Sequence, residues 1–107
     1  MKIRDNLDAL IASHPEIYEA YSQFGKAIHD QGGPLAEKTR WLVKVAVSSS
    51  LGLAKAQLTH MIKAREAGCS LDEIEHAILL VAPTAGFPRM MEAMERFRDF
   101  QRGVEPA

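Results

Sequence analysis

Apolar residues along this chain recur at intervals of three and four, the period of one helix face. Ile3, Leu7, Leu10 and Ile11 share a face within IRDNLDALIAS, and Pro15 opens a second segment, as proline does at a first helical position. Ile17, Tyr21, Phe24 and Ile28 continue that period until QGGP stops it. A third segment runs from about Ala36 to Leu51. Its centre, WLVKVAV, has a strand-like composition, but the flanks AEKTR and SSSLG extend it to helical length. Gly52 marks a tight corner. The fourth segment, Leu53 to Ala67, carries Leu53, Ala56, Gln57, His60, Ala64 and Ala67 along one side, and Gly68 is a natural stop. Ser70-Leu-Asp-Glu73 is a capping box, which predicts a fifth helix with Ile74, Ala77, Ile78 and Val81 as its apolar stripe. PTAGFP ends it. Pro88 starts a sixth helix whose predicted buried face is Met90, Met91, Met94 and Phe97, and Gly103 ends that one. VEPA reads as a frayed tail. The pattern predicts an all-α fold of six helices in one domain spanning residues 1–107.

Composition narrows the function classes. The chain has 107 residues, 47% hydrophobic and 25% charged, as ordinary globular domains do. A net charge of -1 and the lack of a basic stripe speak against a nucleic-acid partner or an acidic membrane surface. No apolar run is long enough to span a bilayer. The opening MKIRDNLDAL carries charges where a signal peptide needs apolar residues, so a cytoplasmic location is expected. The single cysteine, Cys69, cannot form an intrachain disulfide.

His60 is the main candidate for chemistry. Small residues, Ala56 and Ala64, stand one turn to either side of it. Ser48, Ser49 and Ser50 end the third helix, and a hairpin through Gly52 brings them within one or two turns of His60. An imidazole with a hydroxyl partner can move protons near neutral pH. Residue type and spacing alone favour a plainer role, a core histidine satisfied by a serine or a backbone carbonyl. Cys69 follows Gly68 at a turn. A continuous helix would hold it roughly 13 Å from His60 at ~1.5 Å per residue, and with no second thiol it reads as a small apolar or capping residue at a turn. Glu73 and His76 have the Glu-x-x-His spacing of di-iron bundles. Such a site needs two copies of that motif, and Glu73 already serves the cap, so no metal and no cofactor are expected. His14 and His29 sit at helix ends and look solvated. Lys44, inside WLVKVAV, reads as a snorkelling lysine or as an anion contact in a cavity.

The order of these features, in KTRWLVKVAVSSSLGLAKAQLTHMIKAREAGCSLDEIEHAILLVAPTAGFP, resembles the carboxymuconolactone decarboxylase family, which includes alkyl-hydroperoxidase D-like proteins. The resemblance covers about residues 35–95 and rests on the apolar helix, Gly52, His60, AREAGCSLDEI and GFP. It implies a six-helix alkyl-hydroperoxidase D-like domain that assembles into homo-oligomers, trimers or hexamers. The peroxidase branch of the family has a Cys-x-x-Cys-x-x-x-His motif. With its histidine on His60, the two cysteines fall on Leu53 and Ala56, and an upstream proton-relaying glutamate falls near Trp41. The resemblance therefore implies the frame of a redox helix without its thiols. The decarboxylase branch also has a histidine here and does not use those cysteines, but its tyrosine has no clear counterpart in Pro83-Thr84-Ala85-Gly86.

The leading expectation is thus a lyase-type or other acid/base enzyme acting on a small carboxylate or carbonyl compound. His60 is its proton donor and acceptor, and Ser49 or Ser50 orients it and contacts the substrate. The alternative is a non-catalytic oligomeric protein that binds a small ligand or is merely structural. A third reading, peroxidase activity carried over from the fold, is disfavoured by the missing thiols. Expected partners are further copies of the chain and a small-molecule ligand, with no nucleic acid and no membrane.

Overall fold

The computed structural model describes residues 3–103, with Ile3 described by its backbone alone. The expected tail, Val104 to Ala107, lies outside the described residues. The order is α1 (Ile3–Ser13), α2 (Pro15–Gln31), α3 (Glu37–Ser50), α4 (Ala54–Glu66), α5 (Leu71–Leu79), α6 (Ala82–Ala85) and α7 (Phe87–Gln101). No strand occurs among the described residues, so WLVKVAV is helical, as its flanks require. All six expected helices are present. The added element, α6, is a single turn within APTA, too short to show a hydrophobic period.

The described residues divide into two compact units, one up to Leu35 and one from Ala36 on. In the first, α2 follows α1 directly: His14 N–H donates to Leu10 O, Tyr18 N–H donates to His14 O, and Pro15 opens α2. None of residues 4–35 is buried. The apolar stripe of α2 stands bare: Ile17, Tyr21, Phe24 and Ile28 are 59% to 68% exposed.

The second unit holds the core. Val45 of α3, Met61 and Ala64 of α4, Ile74 and Ile78 of α5, and Met90, Ala93, Met94 and Phe97 of α7 are buried together, with Trp41, Leu42 and Leu58 packed against them. The expected buried face of α7 needs one correction. Met91 is half exposed and Ala93 takes its place, because 93, 94 and 97 follow 90 around the same side of the helix. On α4, Met61 joins the buried side while Leu53 is exposed. Val43, Val47 and Leu51, four residues apart, form a second apolar stripe on α3 that faces solvent.

Two corners set the site. α3 ends in a Schellman motif. Leu53 N–H donates to Ser48 O at 2.9 Å and Gly52 N–H to Ser49 O at 3.2 Å. Gly52 has φ +71°. A Cβ there would meet only the movable end of the Arg89 side chain, so it is the conformation that favours glycine. α4 ends the same way at Gly68, with φ +97°. Cys69 N–H donates to Ala64 O and Gly68 N–H to Arg65 O. The capping box then starts α5. Ser70 Oγ accepts from Glu73 N–H at 3.0 Å, and Glu73 Oε1 accepts from Ser70 N–H at 2.8 Å.

Candidate functional site

The corner at Gly52 turns α4 back along α3. Six residues at about 1.5 Å of rise each separate His60 from the start of α4, and Lys44 from the end of α3. The two positions therefore lie level across the hairpin. His60 Nδ1 stands 3.0 Å from Lys44 O and 3.1 Å from Ser48 Oγ. Ser48 Oγ is in turn 2.8 Å from Lys44 O and 3.1 Å from Val45 O.

These bonds assign the histidine's tautomer. A carbonyl oxygen can only accept, so the nitrogen facing Lys44 O carries the proton. Nδ1–H is shared between Lys44 O and Ser48 Oγ, while the Ser48 hydroxyl donates its own hydrogen to a backbone carbonyl. In the neutral imidazole the lone pair then sits on Nε2, and that nitrogen is the base. The assignment follows from the hydrogen-bond network, as tautomers ordinarily must.

Trp41 completes the cluster. Its ring centroid is 6.1 Å from that of His60, with the planes tilted by 43°. Lys44 Nζ lies over the same indole at 4.6 Å from its centroid, a cation–π contact. Trp41, Lys44 and Ser48 follow one another at three and four residues, so they form one stripe of α3. That stripe was visible in the sequence as spacing alone. Nothing in composition said that it faces His60 rather than solvent.

The three serines have different surroundings. Ser48 is buried and touches His60. Ser49 has no exposed surface, and its hydroxyl has no hydrogen-bond partner. Ser50 is half-buried, and its Oγ donates to Val47 O at 2.8 Å. The hydroxyl brought to His60 is thus that of Ser48, one residue before the pair expected to orient it.

Cys69 is the residue just past Gly68 in the Schellman motif, where an apolar side chain packs back on the helix. It has no exposed surface, and Sγ lies 3.6 Å from Lys38 O. Burial pushes its pKa up, and the nearby Glu73 charge adds to this, while Lys38 and Arg65 pull the other way. It is a thiol at neutral pH, not a nucleophilic thiolate. Glu73 is held below the usual carboxylate range, chiefly by the Ser70 N–H bond and with help from Lys38 at 3.5 Å. Among the described residues, no three His, Cys, Asp or Glu side chains gather as metal ligands would. His14 is exposed and His29 half-buried.

The sequence profile of the carboxymuconolactone decarboxylase family matches residues 15–99. The chain belongs to that family. It is 33% identical over 91 residues to an uncharacterized protein of Methanocaldococcus jannaschii, a match covering 85% of this chain and 84% of that protein. Its fold is similar to the 1.65 Å crystal structure of a candidate carboxymuconolactone decarboxylase from Burkholderia xenovorans. The TM-score is 0.72 at 25% identity, covering 92% of this chain and 79% of that one. The family frame is therefore present. At the positions where the peroxidase branch's thiols would fall stand Leu53 and Ala56. Trp41, near which its glutamate would fall, packs beside His60.

Proposed function

We propose that this family member is an acid/base enzyme, lyase-like in type, acting on a small carboxylate or carbonyl compound through His60. The observation that carries the reading is the double anchoring of Nδ1–H by Lys44 O and Ser48 Oγ, which leaves the basic lone pair on Nε2. A histidine so fixed does not spend its catalytic cycle searching for the right tautomer. As base, Nε2 takes a proton from the carbon beside a carbonyl, and the C–H electron pair moves into the enolate. As acid, the imidazolium returns a proton to that carbon. In a decarboxylation the enolate arises instead from loss of carbon dioxide, and His60, starting protonated, supplies the proton. The Lys44 ammonium, on the indole that also faces His60, suits an anionic substrate. Ser49, buried with its hydroxyl unpartnered, and Ser50 beside it remain the substrate contacts in this reading. Assembly into a homo-oligomer, a trimer or hexamer, belongs to it as well, supported by the bare stripes on α2 and α3.

One observation favours the non-catalytic reading: Lys44 O satisfies His60 as it would a structural histidine. A single experiment separates the two. Small keto acids, lactone acids and unsaturated dicarboxylates are incubated with the protein in deuterated water. Deuterium entry beside the carbonyl is followed by NMR, with release of carbon dioxide measured in parallel. Exchange or release by the wild type about 10²-fold or more above His60→Ala is expected of a positioned acid/base. Ligands that bind and shift Trp41 fluorescence, yet react no faster than in buffer, favour the binding protein.

A further inference from the structure

A second buried polar arrangement lies next to the site. Gln57 is in the first turns of α4 and has no exposed surface. Its Nε2 donates to Ala93 O of α7 at 2.9 Å, and its Oε1 accepts from Arg96 Nε at 2.6 Å. One terminal nitrogen of Arg96 is sealed from solvent without a hydrogen-bond partner. Core stability does not account for this. Gln57 lies against Met61 and Ala93, where an apolar side chain of the same length would avoid bringing part of a guanidinium out of water.

What hydrogen bonds supply and apolar packing does not is direction. α4 meets α7 mostly through Met61, Ala93 and other side chains that tolerate small rotations. The Gln57 amide, bonded at both ends, does not. His60 lies three residues further on, on the adjoining face of the same helix. An imidazole rides about 6 Å from the helix axis, given the ordinary helix diameter. A rotation of α4 by about 20° would therefore carry it by about 2 Å. That is enough to break bonds of 3.0 and 3.1 Å.

We propose that Gln57 and Arg96 are positioning residues for His60: anchored on α7, they fix the rotation of α4 that holds Nδ1 between Lys44 O and Ser48 Oγ. The catalytic consequence rests on the acid/base reading above, but the geometric claim does not. The two sets of bonds tie α4 on two sides, to α7 through Gln57 and to α3 through His60, so a change at the first tie is read at the second.

The test is the tautomer of His60, read from nitrogen chemical shifts in long-range proton–nitrogen NMR spectra of the full chain near pH 8, with His60→Ala as the assignment control. A free neutral imidazole favours the Nε2–H form, whereas the wild type is expected in the Nδ1–H form. In Gln57→Leu the Nδ1–H population is expected to fall by at least half, with helicity retained. Gln57→Glu, which keeps an acceptor for Arg96, should recover most of it, and Arg96→Lys should lie between. If Gln57→Leu does not fold, Arg96→Lys carries the test alone. A folded Gln57→Leu or Arg96→Lys with the wild-type tautomer overturns the proposal, as does a wild type already in the Nε2–H form. A locked wild-type tautomer that loosens in these variants, with no exchange chemistry at His60, upholds the positioning and removes only the acid/base reading.

Discussion

Ser49 stands out among the side chains near the site because burial gives it nothing in return. Its hydroxyl has neither solvent nor a partner, and an unmatched buried hydroxyl costs about 1–3 kcal/mol. Replacing it with alanine removes that cost and leaves a gap of one atom. Ser49→Ala is expected to be stabilising by about 1 kcal/mol, a rise in melting temperature of roughly 4–8 °C for a domain of this size. Thermal unfolding followed by circular dichroism measures it. If Ser49 contacts a ligand, the same variant weakens that ligand, so stability and binding move in opposite directions. A melting temperature that drops instead means that the hydroxyl is bonded and the orphan is not real. Ser48 differs, since its Oγ sits between Lys44 O and His60 Nδ1, and truncation there removes bonds on both sides. The sequence could not tell these neighbours apart. Three consecutive serines at a helix end differ only in helical phase, and that phase is set by how α3 packs on α4.

At the scale of the helices, the capping box of α5 carries a pH dependence whose sign can be stated. The Glu73 carboxyl is held below its usual range, first by the Ser70 N–H and then by Lys38. Its contribution is present above the unfolded carboxylate value, about pH 4.3, and is lost as pH falls through the lower folded value. Glu73→Gln keeps an acceptor in the box but cannot ionise. Acid unfolding monitored from about pH 6 to about pH 2 should therefore show a shallower loss of stability in Glu73→Gln than in the wild type. Equal slopes would mean that the depressed pKa does not contribute. That box, the stops at Gly52 and Gly68, and the faces of α5 were legible because each depends on a few adjacent residues. The turn of α6 and the exchange of Met91 for Ala93 were less so, since one turn has no period and a helix stripe drifts with its packing partner. The Gln57–Arg96 bond joins positions 39 residues apart, and the Trp41–His60 contact also crosses between helices. Neither leaves a local signal, because the identity of the partner comes only from the fold.

In the 11.8 kDa chain, each of the two units carries an exposed apolar stripe among its described residues. In the unit that ends at Leu35 no side chain from 4 to 35 is buried, although α2 carries Ile17, Tyr21, Phe24 and Ile28 along one side. Its two helices have 11 residues and 17 residues. Helices this short hold their shape mainly by burying such a face, since in isolation they are marginal in water. In the unit that begins at Ala36, the stripe Val43, Val47 and Leu51 repeats the problem on α3, whose opposite side already belongs to the core. Copies of the same chain are a sufficient cover, and closed rotational symmetry would hide these stripes without an open end. Light scattering after size exclusion at low micromolar concentration is expected to give a multiple of 11.8 kDa, three or six copies. Phe24→Glu and Val47→Glu each place a charge on one stripe and should lower the mass toward the single chain, with helicity falling most in Phe24→Glu because its unit has no core of its own. A wild type that runs as a folded 11.8 kDa species, with both variants unchanged in mass and helicity, would show that these faces are tolerated bare.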